Sequence, residues 1–104
     1  MALNGIKENK CFEPTYIPVR GYHLFTFIEA GASATFSIST LGMNLPSDTV
    51  PVVTATQVLL PGDSYNENVV INSYLDLVNK QAVIVCKNNS SSTIGQVMVD
   101  YAIL

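Results

Sequence analysis

Alternation of apolar and polar side chains with a period of two, and no stretch of sustained helical periodicity, is the feature that most restricts this chain. In Ser33-Ala34-Thr35-Phe36-Ser37-Ile38-Ser39, Ala34, Phe36 and Ile38 share one parity and four hydroxyl side chains take the other. Successive residues of a strand point to opposite faces of a sheet, so this stretch predicts a strand with one buried side and one wet or subunit-facing side. The last nine residues repeat the pattern. Val97, Val99, Tyr101 and Ile103 share a face opposite Gln96, Met98, Asp100, Ala102 and Leu104.

Further strands are expected over residues 22–29, 49–57, 69–78 and 82–87, each rich in β-branched or aromatic residues. In the first of these, Tyr22, Leu24, Thr26 and Ile28 are expected opposite His23, Phe25, Phe27 and Glu29. Pro51 cannot donate to a ladder, so its strand is expected at an edge or to start there. Residues 82–87 are apolar enough for a central strand, and Asn79-Lys80 is expected to join them to the preceding strand in a tight hairpin. Ala30-Gly31-Ala32, Leu45-Pro46-Ser47-Asp48 and Pro61-Gly62-Asp63-Ser64 are turn-forming clusters. Asn88-Asn89-Ser90-Ser91-Ser92-Thr93 is a polar loop. The fold class that follows is all-β: an antiparallel β-sandwich, jelly-roll-like or immunoglobulin-like, of six to eight short strands.

With 104 residues there is room for one domain. Residues 1–20 hold Glu8, Glu13, Pro14 and Pro18 and are expected as an N-terminal arm or edge segment, with residues 21–104 forming the sandwich. The chain is 48% hydrophobic and only 12% charged, about half the usual charged share. Either another subunit covers part of the apolar surface, or a two-sheet core absorbs it.

Charge and hydropathy narrow the partners. The net charge is −3, and Lys7, Lys10, Arg20, Lys80 and Lys87 are scattered, so no basic stripe is available for phosphates and no nucleic acid is expected. No apolar run reaches the roughly 18 residues of a membrane-spanning helix, and no membrane association is expected. The first residues lack the charged and apolar regions of a secretory signal. Synthesis in a cytoplasm is the expectation.

Residues able to carry chemistry are few. His23 is the only histidine, and its place in a strand suits a surface or hydrogen-bonded structural role better than a base or ligand. Cys86 lies in the apolar run 82–86 and reads as a small buried hydrophobe, while Cys11 lies in the polar N-terminal segment. A disulfide between them stays open, with free thiols the expectation for a protein assembled in a cytoplasm. The carboxylates Glu8, Glu13, Glu29, Asp48, Asp63, Glu67, Asp76 and Asp100 are spread out. Asp63 and Glu67, with Asn66 and Asn68, lack the spacing of a calcium loop. The six glycines are isolated, so no phosphate loop is present. The expectation is a protein that is not an enzyme, with no catalytic, cofactor-binding or metal-binding residues.

From Ala30 to Leu104 the order of features resembles a β-sandwich module of tailed-bacteriophage virion proteins. The loop Ala30-Gly31-Ala32 leads into the hydroxyl-rich strand, and a Leu41-Gly42-Met43 turn and a valine-rich strand follow. Val69-Val70-Ile71-Asn72-Ser73-Tyr74-Leu75 then precedes a hairpin into Gln81-Ala82-Val83-Ile84-Val85. The Asn-Ser loop and the strand from Gln96 to Ile103 complete the order. The resemblance implies a structural virion protein: an auxiliary (decoration) protein on the outer capsid surface. Its partners would be the major capsid protein or other virion proteins, and it would form a homo-oligomer, with a trimer favoured. The alternative is a tail-fibre or head-fibre receptor-binding tip, whose loops around 61–68 and 88–94 would contact host surface glycans. Aromatic residues at exposed loop tips would mark that role, and Tyr65 is the one such residue in those loops. A carbohydrate-binding or adhesin-like module of a cell is a third class, weakened by the absence of tryptophan.

Overall fold

A computed structural model describes residues 17–46 and 48–104. Among these residues six strands form: β1 (Val19–Ile28), β2 (Ser33–Ser39), β3 (Val53–Val58), β4 (Val69–Asp76), β5 (Gln81–Asn88) and β6 (Ile94–Ile103). A short 3-10 turn, Leu41–Met43, follows β2. The strands make two three-stranded antiparallel sheets, ordered β1-β6-β3 and β2-β5-β4. The expected all-β sandwich is therefore present, and β5 is central as its apolar sequence requires.

Only β4 and β5 form a hairpin within one sheet; every other connection crosses between sheets. The antiparallel registers then sort the connections into two ends. At one end, called here the loop end, lie the β1–β2 turn and the loops of residues 59–68 and 89–93. At the other, the termini end, lie Ile17, Leu104, the β2–β3 connection and the β4–β5 turn.

The core follows the sequence alternation closely. Phe25, Ile28, Val69, Ile84, Cys86, Val97 and Val99 form its main cluster, flanked by Ala34, Phe36, Ile38 and Tyr101. A second cluster of Met43, Ala82 and Ile103 plugs the termini end. In β2 the serines and Thr35 are exposed while Ala34, Phe36 and Ile38 are half-buried. Across β1 and β6, Tyr101 lies opposite Gly21. A Cβ on Gly21 would fall 2.6 Å from the Tyr101 hydroxyl oxygen, so the missing side chain is what lets the ring lie there.

Three expectations need correction. In β1, Ile28 does not share a face with Tyr22, Leu24 and Thr26; it is buried on the side of Phe25. The cause is Phe27, whose backbone is left-handed (φ 52) and which resets the parity of the strand. Thr26 pairs with Gln96 and Ile28 with Ile94. This sets Phe27 level with Gly95, where no opposing side chain exists. The third strand begins at Val53 rather than at residue 49, leaving Pro51 outside the ladder, although Val52 and Leu104 still exchange backbone hydrogen bonds of 2.8 Å.

The fourth strand stops at Asp76, and the hairpin connection is residues 77–80, longer than Asn79-Lys80. Its carboxylate accepts the backbone N–H groups of Val78 and Asn79 and the Asn79 side-chain amide, which turns the chain out of the ladder. Lys80 closes the turn in a left-handed conformation (φ 54). Val19 and Arg20 pair with Ile103 and Ala102 at the start of the edge strand β1. Residues 1–16 of the expected arm or edge segment, Cys11 among them, lie outside the described residues.

Candidate functional site: the two ends of the sandwich

The loop end is organised by one side chain. Asn88 is the last residue of β5 and is fully buried (0% exposed). Its amide nitrogen donates to the carbonyls of Ile28 and Ser92, both at 2.9 Å. Its amide oxygen accepts the Ser90 N–H at 2.9 Å and the Ser90 hydroxyl at 2.6 Å. Asn88 thus uses both ends of its amide, as a buried side chain of this type must.

The backbone extends the clamp. The Asn88 N–H donates to Ala32 O, its carbonyl accepts Gly31 N–H, and Asn89 N–H reaches Asn68 O. All three connections of the loop end are tied to two consecutive residues. Two aromatic side chains stand out from this end: Phe27 is 77% exposed and Tyr65 is 68% exposed. Phe27 is the more unusual, because a bulky residue holds a left-handed backbone without gaining burial.

Leu59 and Leu60 are exposed at the loop end too, but the termini end carries more such side chains. Leu41, Val50, Val52, Leu77 and Leu104 are exposed there, and Val78 is 88% exposed. Leu41, Leu45, Pro46, Val50, Pro51 and Leu77 line a cleft of about 560 Å³ between the β2–β3 connection and the β4–β5 turn. Asp48 and Lys80 stand on its lining as well. Ile17 meets this end through its N–H, which donates to Met43 O at 3.1 Å. The Asp76 carboxylate, at the end of β4, is held below its ordinary pKa, first by the Asn79 side-chain amide and then by backbone N–H groups.

The residues weighed for chemistry fall elsewhere. His23 stacks on Phe36 across the two sheets at 3.9 Å and meets Phe25 edge-on at 4.6 Å. Desolvation there lowers its pKa. Cys86 is a free, buried thiol whose pKa is pushed up by desolvation. Among the described residues no three His, Cys, Asp or Glu side chains converge as a metal site would require. Asp63 is spent locally, accepting the Leu60 N–H within its own loop. No described helix is long and apolar enough to cross a membrane.

Sequence reasoning treated Asn88 as the start of a polar loop and missed its burial. The signal available was its position directly after the apolar run of residues 82–86, at the mouth of a serine-rich loop with many backbone groups to satisfy. The parity reset at Phe27 left no such mark. Together, fold and ends define a small antiparallel β-sandwich with one end clamped by a buried amide and the other closed by an apolar plug. No protein-family profile, curated protein or solved structure matches the chain.

Proposed function

We propose that this chain is a structural virion protein, an auxiliary protein bound to the outer capsid surface of a tailed bacteriophage. The observation that supports this reading most is the opposition of the two ends. Leu41, Val50, Val52, Leu77 and Val78 are concentrated at the termini end, and contiguous apolar surface of that kind suits contact with another protein. The clamped loop end exposes fewer such groups, Phe27, Leu59, Leu60 and Tyr65 among them, and suits a face turned to solvent. The low charge of the chain and the resemblance of residues 30–104 to phage virion modules point the same way.

The test is a binding assay of tagged protein against virions and emptied heads of the phage that encodes it. The expected result is saturable binding to heads in a number set by a repeating lattice position. Binding to host cells and not to heads would overturn the reading. One observation favours that second role, a receptor-binding tip: Phe27 and Tyr65 both project from the loop end, and stacking aromatic rings are the groups such a tip presents to sugars.

A further inference from the structure

We infer that the edge of β2 is a self-association surface, on which two copies of this chain pair β2 with β2, antiparallel about a twofold axis at Phe36. Three observations carry this. The first is which backbone groups β2 leaves unused. Just beyond the strand, the Asn88 N–H donates to Ala32 O and the Thr40 N–H donates to Lys80 O. Both pairs continue the ladder register, in which Ala34, Phe36 and Ile38 stand opposite Cys86, Ile84 and Ala82. Hydrogen-bonded pairs recur at every second residue of an antiparallel ladder, so the even-numbered residues of β2 bond to β5. The N–H and C=O groups of Ser33, Thr35, Ser37 and Ser39 therefore point away from β5, at the margin of the sheet. Among the described residues, none of these groups has a backbone partner outside the ladder.

The second observation is that this edge is unprotected. Charge, proline and irregular backbone are the usual means of blunting an edge strand. The edge strand β1 carries Arg20 and the left-handed Phe27. Pro51 precedes β3, and β3 and β4 pack on each other more extensively than any other strands of different sheets. By contrast, the seven residues of β2 include no charge, no proline and no positive φ. Its inward side chains Ala34, Phe36 and Ile38 are only half-buried, although their ladder partners Cys86, Ile84 and Ala82 are fully buried. Apolar surface is thus left for a further strand to cover.

The third observation selects a second copy as that strand. Pairing about Phe36 sets Ser33 of one copy opposite Ser39 of the other, Ala34 opposite Ile38, Thr35 opposite Ser37, and Phe36 opposite itself. Ser-Ala-Thr-Phe-Ser-Ile-Ser reads the same in both directions by residue type. Hydroxyl then meets hydroxyl on the outer face, apolar meets apolar on the inner face, and no like charges meet. The residues with unused groups fall opposite one another, as mutual bonding requires. Such a contact is isologous and closes at two copies. It differs from the trimer implied by the resemblance and does not rest on the capsid reading.

The test is residue-resolved hydrogen exchange of the full-length chain, with sedimentation equilibrium, over a range of protein concentrations. One strand per copy is a small interface, so a Kd above about 1 µM is expected. The expected result is a monomer–dimer equilibrium in which the Ser33, Thr35, Ser37 and Ser39 amides gain protection as the dimer fills. The Phe36 and Ile38 amides should be protected at every concentration. Thr35→Lys combined with Ser37→Lys sets like charges opposite each other and should weaken the dimer at least about tenfold. Thr35→Glu combined with Ser37→Glu should do the same, and mixing the two variants should restore pairing. Both positions are exposed, so each variant should keep its Phe36 and Ile38 protection.

A chain that stays monomeric at about 1 mM would overturn the inference, and so would an oligomer whose four edge amides exchange freely. Protection of those amides already in the monomer would overturn it too, because the edge would then be covered within one chain. A mixture of the two charge variants that fails to pair would have the same force. None of these outcomes involves a phage head, so failure here and failure of the capsid reading are distinguishable.

Discussion

The two ends of this sandwich solve the same problem with different chemistry. Each must close a gap between sheets where connections cross. The loop end does so with a buried amide that satisfies four hydrogen-bonding groups. The termini end does so with an apolar plug of Met43, Ala82 and Ile103, and leaves further apolar side chains outside it. A polar clamp specifies geometry, because each partner has a fixed direction. An apolar plug specifies only volume, so the surface around it can be given to contacts with other chains.

The largest expected effect tests the plug. Met43 is fully buried, held above a left-handed Asn44 (φ 55) that ends the 3-10 turn. Met43→Ala should cost about 2–5 kcal/mol in chemical denaturation. The loss should appear first at the termini end, where the amides of residues 40–46 would lose exchange protection. If the whole molecule loosened evenly, the two ends would not be independent closures.

Next comes the clamp. Asn88→Ala leaves the Ile28 carbonyl without its buried donor and the Ser90 N–H without its acceptor, while the exposed Ser92 carbonyl keeps the Ser90 hydroxyl. The expected cost is roughly 2–4 kcal/mol. Hydrogen exchange should rise in all three loops of that end and stay unchanged around Met43. A variant that melts normally would show that Asn88 is not what joins the loops.

A smaller effect of opposite sign is expected at Phe27. Its left-handed backbone costs about 1–2 kcal/mol for a side chain with a Cβ, and the ring is too exposed to repay it by burial. Asparagine tolerates that conformation. Phe27→Asn should therefore raise stability by up to about 1 kcal/mol, measured by the denaturation midpoint. A loss instead would mean that the ring packs on something that stabilises the fold.

The pH dependence separates the two regions by range. Desolvation between the sheets depresses the His23 pKa below its ordinary 6.5. The unfolded chain then binds a proton more readily than the folded one as pH falls. Stability contributed by neutral His23 is complete above about pH 6.5 and declines as pH drops toward the folded value. Asp76 acts at lower pH. Its pKa is depressed below 3.8, so its contribution is present above that value and is lost as pH falls through the folded pKa. A thermal melt series should show a first decline as pH falls below 6.5 that His23→Phe abolishes and Asp76→Asn does not.

How much of this could be read beforehand depends on which physical signal each part leaves in sequence. Strand positions and the central place of β5 were legible because burial imposes a period of two on residues such as Ala34, Phe36 and Ile38. Pro51 marked the approach to β3 rather than its edge, since the ladder begins two residues later at Val53. Strand ends were not legible, because Asp76 and Lys80 act through local hydrogen bonds and a positive φ that any period count overlooks. The reversal of Ile28 was invisible for a related reason: parity survives only while every φ stays negative, and one left-handed residue, Phe27, breaks it. The division into two ends needed the registers, since Leu41, Val50 and Leu77 are far apart in the chain and become neighbours only once β2, β3 and β4 are placed.

The smallest expected effect on stability is the one that decides between functions. Val78 is already almost wholly in solvent and does not line the cleft, so Val78→Ser should move folding stability by no more than about 0.5 kcal/mol. It should nevertheless weaken binding to phage heads, because the side chain it removes belongs to the apolar end that would meet the shell. Tyr65→Ser is its counterpart at the loop end, equally neutral to folding, and should leave head binding intact. If the two variants exchange these outcomes, with Tyr65→Ser lowering attachment to host cells and Val78→Ser changing nothing, then the loop end is the working surface and the exposed valines and leucines serve another purpose. A difference of this kind cannot be attributed to unfolding, since both variants would melt like the parent. It assigns the contact to one end of the sandwich.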